Sequence, residues 1–555
     1  MDAMGFRLDE GFRSRAIAGA VIFVVAIALR LLAIGELGDL PLSRTPQLDS
    51  AAYLSWARAI VADWSYWPAY PEHSPGYPYF VAAVLAMFDS LTAVRVVQSI
   101  VGAIGCVLTA RVAARTLTPS AFLPAGLLQA TYAPLIYLET AILAEALFIF
   151  LLIASLDLIT GAGRNRYRWL IGGAVLGAAI VVRPTAMMLV PAYAIVAWRS
   201  QRERFFPLAV AAVAGLAIVI APVIVQNWRV SGLPMVQAYG GMNFYLGNRP
   251  NGDGAARARP GGEWDALEGA ASRAGSTRND QDRYYLSRAF DEISDRPIAY
   301  AQLLGSKLMW TLQDEEIRDT HSYYFFHEAM PLLRWLPSFG LLLAFAVVGL
   351  AVRTPSSRWW LFACFLAMLL SVVLLVVGTR YRMPLVPALF PFAGAGIAAL
   401  IERIRLRDFR RAAVLGGMAV AVWGFSEIRS DEPSRNFAEE WALTGLSLLQ
   451  ERKLEESEAA FRTAIGLADS SLAWDGLGLV LQRRELRTSA REAFERAVRI
   501  NPDNATAWVH LGFSYEFLGN GRAAIAAYQK ALEITPQRGD TQQMLAAALR
   551  RYRLQ

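Results

Sequence analysis

Long apolar runs recur from about residue 16 to about residue 428, separated by short polar turns, and beyond about residue 430 the apolar positions retreat to one face of a helical pattern filled out by charges. A run of roughly 20 apolar residues is long enough to cross the hydrocarbon core of a bilayer as a helix. The runs predict about eleven spans on that criterion, near 16–34, 91–113, 121–138, 141–159, 169–182, 184–198, 206–226, 333–352, 359–377, 383–402 and 411–428. The stretch from Tyr77 to Phe88 is apolar but short, and predicts an interfacial or re-entrant helix. The expected architecture is thus mostly α, with a polytopic region over residues 1–430 and a water-facing helical region over 431–555.

Arginines fix the sides. Arg111 and Arg115, then Arg164, Arg166 and Arg168, then Arg199, Arg202 and Arg204, then Arg353 and Arg358, and finally Arg403, Arg405, Arg407, Arg410 and Arg411 follow the even-numbered spans. All fall on the side of the N-terminus, which the positive-inside rule makes cytoplasmic. An odd number of spans puts the C-terminal region on the opposite, extracytoplasmic side. Arg7, Arg13 and Arg15 precede the first run without a convincing cleavage site, so that run reads as a signal anchor. Two outer loops are large, near 35–90 and 227–332, and the second contains a Gly/Ala/Arg-rich stretch near 251–280 that reads as mobile.

Composition agrees with the pattern. Hydrophobic residues make up 55% of the 555, and the mean hydropathy is +0.33, too apolar for an ordinary soluble enzyme of this length. The net charge of +7 is mostly loop arginine, and no basic face in the soluble part suggests nucleic acid. Cys106 and Cys364 both lie in apolar runs, with neither disulfide nor zinc spacing. An alanine- and arginine-rich chain with few lysines has a bacterial look, which points to the inner membrane, with the C-terminal region in the periplasm.

That C-terminal region has an internal repeat. Trp474, Leu477, Gly478, Ala490, Phe494, Ala497 and Pro502 recur 34 residues on as Trp508, Leu511, Gly512, Ala524, Tyr528, Ala531 and Pro536. Trp441, Gly445, Phe461 and Ala464 form a degenerate earlier copy. The period and the large–small interlock are those of tetratricopeptide repeats, so about three repeats with a capping helix after 538 are expected. Such a solenoid binds peptide or protein in its groove, or serves as a lid or an oligomerisation module.

Candidate chemistry sits on the outer side. Asp49 opens Asp49-Ser50-Ala51-Ala52-Tyr53, and His73-Ser74-Pro75-Gly76-Tyr77-Pro78 follows in the same loop. Glu139 ends the third expected span and Glu145 lies in the fourth. Arg183, Arg380 and Arg382 lie at outer span ends, where orientation does not explain them. An arginine at hydrocarbon depth costs about 2.5–3.5 kcal/mol on insertion scales and therefore faces a partner or a cavity. A guanidinium suits phosphate, and it also suits a structural carboxylate.

These segments, with Gly241-x-Asn243, Gly247-Asn248 and Arg380-Tyr381-Arg382-x-Pro384, resemble in order and placement the GT-C glycosyltransferases over about residues 10–430. The branch is that of protein O-mannosyltransferases and lipid A aminoarabinose transferases. The resemblance implies transfer of a sugar from a polyprenyl-phosphate donor in the membrane to a protein or glycan acceptor, with inversion. It implies Asp49 as the base, Glu139, Glu145 and His73 as orienting groups, and Arg183, Arg380 and Arg382 at the donor phosphate. Protein O-mannosyltransferases carry Asp-Glu where this chain has Asp49-Ser50. No Asp-x-Asp marks the first loop, and Asp39 and Asp63 lie far from Asp49 in sequence, so no metal is expected to be required, although some relatives use a divalent ion. The repeats would recruit the acceptor or a protein partner. A transporter or a non-catalytic scaffold remains the competing class, since intramembrane charges suit a transporter too.

Overall fold

Each expected apolar run is helical. The computed structural model describes every residue except 1, 39, 233, 250, 251, 253, 256–262, 276, 353–355, 429–435 and 553–555, together with the side chains of 2–13, 263 and 356. Asp39, Arg353, the boundary near 430 and the side chains of Arg7 and Arg13 therefore lie outside the described residues. Among the described residues the fold is helical without strands, apart from an isolated parallel bridge between Ala255 and Val377.

Among the described residues, five helices are long and apolar enough to cross a membrane: Ser14–Leu37, Leu91–Thr116, Arg202–Ser231, Pro331–Ala351 and Thr379–Arg405. The others are shorter or less apolar. Glu145–Thr160, of 16 residues, packs between Leu91–Thr116 and Arg166–Val182. Gly76–Phe88 has 13 residues, about 20 Å at helical rise, and is too short to cross. Close approaches set the packing. Gly173 lies against the backbone at Ala212, and Gly215 against that at Leu170, where a Cβ on either would collide, so Arg166–Val182 and Phe205–Ser231 meet backbone to backbone.

The third expected span is not continuous. Pro119–Thr131 and Ala133–Thr140 meet at a 52° bend. Pro134 has no N–H to give the Ala130 carbonyl four residues back, so the helix cannot run through. Arg30 Nη1, reaching across from the first helix, donates to that Ala130 oxygen at 3.1 Å. The same guanidinium pairs with Glu139.

The second outer loop is more ordered than its composition suggests. Residues 256–262 lie outside the described set, but Glu263–Ala274 and Arg278–Asp295 are helices, the latter started by a capping box between Thr277 and Asp280. Leu267, Ala271, Tyr285 and Ala289 pack with Met242, Tyr245 and Leu246 of Gly240–Asn248 into a small core of their own. Apolar residues at helical spacing, hidden among Gly, Ala and Arg, hold this region together.

The C-terminal region is three helix pairs, Ala438–Gln450 with Leu454–Leu467, Ser471–Arg483 with Arg487–Ile500, and Ala505–Phe517 with Gly521–Ile534, capped by Gly539–Tyr552. Gly445, Gly478 and Gly512 lie against the rings of Phe461, Phe494 and Tyr528, positions where any side chain would collide with the ring. This is the interlock that the 34-residue period encodes.

Candidate functional site

The helix Leu48–Ala62 presents Asp49 in its first turn. It opens at Leu48, whose φ of 54° lies in the left-handed region. A leucine holds that conformation at a cost of about 1–3 kcal/mol only where its surroundings impose it. Asp49 Oδ2 accepts from Arg380 Nη1 at 2.7 Å, and Arg380 Nε reaches Glu145 Oε1 at 2.8 Å. Arg183 Nη2 pairs with the same Glu145 oxygen. The four side chains thus form one chain of alternating charge, Asp49–Arg380–Glu145–Arg183.

Each member is placed by a helix end. Glu145 begins Glu145–Thr160, where the amide dipoles favour an anion. Arg183 follows the last turn of Arg166–Val182, just ahead of Pro184. Arg380 lies in the single turn Thr379–Arg382. Its backbone N–H donates to Asp319 Oδ2 at 3.2 Å, and its Nη1 also bonds Thr320. Thr379 is tied to the Ile317 carbonyl by both its N–H and its hydroxyl, each at 3.0 Å. The 317–320 loop therefore holds Arg380 and its neighbour Thr379 by backbone and side-chain hydrogen bonds.

The charges are unequally exposed. Arg380 keeps 5% of its side-chain surface and Glu145 1%, while Asp49 keeps 39% and is the most exposed member. Burial works against the Asp49 charge, yet the Arg380 guanidinium, aided by His73 and Arg183, holds its carboxyl well below the usual carboxylate range. Glu145 Oε2 and Arg183 Nε are buried without hydrogen-bond partners, leaving one acceptor and one donor facing the same pocket of charge.

His73 belongs to this site through an aromatic contact. Its ring lies 4.9 Å from Tyr53, which in turn meets Tyr77 edge-on at 5.0 Å. Burial pushes the imidazole below its ordinary value, with Asp49 pulling the other way, so the neutral form prevails at neutral pH. Ser74 donates to Gln237 at 2.9 Å, and Gln237 donates to the Glu72 carbonyl at 2.9 Å, which pins the turn to the second outer loop.

Other expected site residues lie elsewhere. Glu139 pairs with Arg30, both essentially fully buried, rather than with the Asp49 chain. Arg382 pairs with Glu316 at 2.5 Å and stacks on Phe339 at 3.9 Å. Gly241 donates its N–H to Asp282 Oδ1 at 2.8 Å, capping Gly240–Asn248. Asn243 is half-buried in that helix, its N–H bonded to the Tyr239 carbonyl. Gly247 abuts the backbone of Leu375, and Asn248 donates to Leu374 O while accepting from Lys307 Nζ, both at 2.9 Å. Lys307 also donates to Leu375 O at 2.9 Å. The Gly247-Asn248 pair therefore fastens the chain a few residues ahead of Arg380.

Four supporting residues were not singled out from the sequence. Asp319 and Thr320 are polar residues in a polar loop. Arg95 donates to the carbonyls of Thr140 at 2.9 Å and Ser43 at 2.5 Å, and Gln98 joins Tyr77 OH, at 2.5 Å, to the Glu139 and Ala141 carbonyls. Arg95, a buried arginine at the outer end of the second span, could have been found by the reasoning that picked out Arg183.

Known proteins share parts of this chain. Residues 72–226 match the family model described as dolichyl-phosphate-mannose-protein mannosyltransferase, and residues 505–538 match a tetratricopeptide repeat model. The first segment holds His73, Glu139, Glu145 and Arg183, while Asp49, Arg380 and Arg382 fall outside it. A probable UDP-N-acetylglucosamine–peptide N-acetylglucosaminyltransferase SPINDLY from Petunia hybrida is 29% identical over 126 residues, 22% of this chain and 14% of that one. The chain thus spans about a seventh of the length of that curated relative. An archaeal oligosaccharyltransferase from Archaeoglobus fulgidus, in complex with an inhibitory peptide and a dolichol-phosphate, covers 80% of this chain and is itself covered to 59%, at 12% identity and a TM-score of 0.45. MamA from Desulfovibrio magneticus is 22% identical over 28% of this chain and 84% of its own, at a TM-score of 0.20.

Apolar helices long enough to cross a membrane, a segment similar to dolichyl-phosphate-mannose-protein mannosyltransferases and a tetratricopeptide repeat match thus occur together in one chain. The resemblance to GT-C glycosyltransferases read from the motifs is borne out over residues 72–226.

Proposed function

We propose that the protein transfers a monosaccharide from a polyprenyl-phosphate carrier to an acceptor hydroxyl on the extracytoplasmic face of a bacterial inner membrane, with a protein as the acceptor. Residues 1–430 carry the transfer site, and residues 431–555 recruit the acceptor or a partner. The N-terminus is cytoplasmic in this reading and the repeats periplasmic. The observation that carries it is the Asp49–Arg380–Glu145–Arg183 chain, in which the one well-exposed charge is a carboxylate and its buried partner is a guanidinium.

The sugar phosphate already has a good leaving group, so the need is for a base on the acceptor and a cation on the phosphate. The acceptor oxygen attacks the anomeric carbon from the face opposite the phosphate. The carbon–oxygen bond to phosphate breaks, the phosphate leaves with the electron pair, and Asp49 takes the hydroxyl proton. One displacement inverts the anomeric centre. Arg380 is shared between these roles. While it pairs with Asp49 the carboxylate is a weak base; a donor phosphate competes for the guanidinium, and Asp49 gains proton affinity as its partner turns away. Donor binding thereby switches on the base. Arg183 Nε, buried without a partner, supplies a second donor toward the phosphate. Neutral His73 accepts from or donates to the sugar or acceptor beside Tyr53.

In this proposal Glu139 and Arg382 keep the frame around the site through Arg30 and Glu316, and Gly241, Asn243, Gly247 and Asn248 hold the second loop. No divalent ion is required, and EDTA leaves transfer unchanged. The test is transfer of labelled sugar from a panel of undecaprenyl-phosphate monosaccharides by purified protein and by Asp49→Asn, with periplasmic proteins and glycolipids as acceptors. Loss by at least about 100-fold in the variant, with donor binding retained, supports the base. Equal transfer by both proteins overturns it, and label in the lipid fraction alone moves the acceptor from protein to glycolipid.

A further inference from the structure

The first repeat helix, Ala438–Gln450, carries polar residues on a face that ought to be apolar. Glu440 and Ser447, seven residues apart and so on one stripe, are fully buried, and Thr444 between them is nearly so. In the later repeats the positions equivalent to Glu440 are Ala473 and Ala507, which sit in the core shared by neighbouring repeats. The first repeat has no preceding repeat to pack on. Two segments of the transfer region occupy that face instead.

Glu440 Oε1 accepts from the Ser322 N–H at 2.8 Å, and Oε2 from Arg318 at 3.4 Å. Phe325 lies edge-on to Phe437 at 5.7 Å and to Trp441 at 6.0 Å. The stretch so held, 318–322, contains the Asp319 and Thr320 that grip Arg380. Two turns further along the stripe, Ser447 Oγ donates to the Thr45 carbonyl at 2.8 Å and accepts from Gln47 Nε2 at 3.1 Å. Glu451 takes Arg44 through both oxygens, at 3.0 and 3.1 Å. That segment leads straight into Leu48, in its left-handed conformation, and Asp49. Leu443, between the two grips, is part of the main hydrophobic core of the transfer region.

We propose that Ala438–Gln450 is a positioning element of the transfer site as well as the start of a recruitment module. Glu440 sets Arg380 through Asp319 and Thr320, and Ser447 sets Asp49 through Gln47. One rigid helix then fixes the spacing of the base and its guanidinium, from outside the region that carries them. This rests on the transferase reading of the Asp49 site, and the test separates the two.

The test uses the full-length protein in nanodiscs, as wild type, Glu440→Ala and Glu440→Gln, with Phe513→Ala on the exposed side of the last repeat as a control. Hydrogen exchange is followed by mass spectrometry, and release of labelled sugar from undecaprenyl-phosphate monosaccharides to water reports on the site without any acceptor to recruit. Glu440→Ala is expected to speed exchange at 317–322 and around 48–50 while the helices of the last repeat keep their protection. It is also expected to lower sugar release by about tenfold or more, since small misplacements of reacting groups carry penalties of that size. Glu440→Gln, which can still accept from Ser322, retains most of both signals, and Phe513→Ala changes neither. Unchanged exchange at 317–322 in Glu440→Ala overturns the proposal, as does unchanged sugar release in a variant whose wild type is active. Faster exchange with neither release to water nor transfer to any acceptor by the wild type leaves the brace standing and sinks the transferase reading instead.

Discussion

Arg380 joins the two carboxylates of the site, the exposed Asp49 and the buried Glu145. Two hydrogen-bonding edges, Nε toward Glu145 and Nη1 toward Asp49, need a planar fork, and a lysine ammonium cannot supply it. The pH dependence follows. Arg380 keeps the folded Asp49 carboxyl below its unfolded value, so the pairing contributes stability above the ordinary carboxylate range and loses it only as pH falls through the depressed folded value. The acid limb of kcat/KM in the wild type is therefore expected below the ordinary aspartate range. Arg380→Met removes the depressing charge while burial goes on raising the carboxyl, so the limb should move to higher pH as the rate falls. An acid limb at the same pH in both proteins would mean that Asp49 is not the group being titrated. Glu145, Arg183 and Arg380 were legible in the sequence because a charge at the end of an apolar run is costly and calls for a partner, and Asp49 was legible through the motif that it opens. Their grouping was less so. Arg382 and Glu139 looked equally marked, and what separates them is their partners: Glu316 from a polar loop, and Arg30 from the middle of the first run. A sequence says that a buried charge needs a partner without saying which one.

The helix break at Tyr132 shows the same limit one scale up. Pro134 was in plain view, and a proline kinks or breaks a helix that reaches it from the N-terminal side. The apolar run nevertheless continues on both sides, and periodicity alone reads it as one span. What the run does not reveal is where the freed Ala130 carbonyl finds a donor, and the answer, Arg30, also neutralises Glu139. Breaking that pair from one side leaves a buried charge alone, which typically costs about 3–5 kcal/mol, whereas replacing both partners by apolar residues of similar size is far milder. Arg30→Met is accordingly expected to lower the thermal midpoint in detergent more than the double variant Arg30→Met/Glu139→Met does. The double variant still lacks the donor to Ala130 and should remain below wild type. A double variant no better than the single one would show that Glu139 does not carry the charge assigned to it. Elements whose signal is local, such as the repeat helices and the long apolar spans, were found at their expected places; those that depend on a distant partner, such as Glu263–Ala274 on its small core, were not.

At the scale of the whole molecule, the repeats were expected to recruit the acceptor or a protein partner, or to serve as a lid or an oligomerisation module. Ala438–Gln450 instead shares core and hydrogen bonds with the loops around Asp49 and Arg380, while the far end touches the second outer loop through Arg273, bonded to the Glu533 carbonyl at 3.2 Å. A solenoid transmits disturbance from repeat to neighbouring repeat, so its two ends should matter differently to the site. Phe461 lies under both Gly445 and Gly476 and holds the first helix against its own repeat and the next; Tyr528 plays the matching part under Gly512 in the last pair. Both are fully buried, and truncating such an aromatic to alanine typically costs about 3–5 kcal/mol. The energetic insult is similar, but its distance from Glu440 is not. Phe461→Ala is expected to loosen Ala438–Gln450 and depress sugar release to water along with transfer to protein. Tyr528→Ala should spare release to water and reduce only transfer to a protein acceptor. Comparing the two activities in the two variants separates bracing from recruitment. Equal loss of release to water in both would mean that the solenoid behaves as one cooperative block, and that the site feels its stability rather than its first helix.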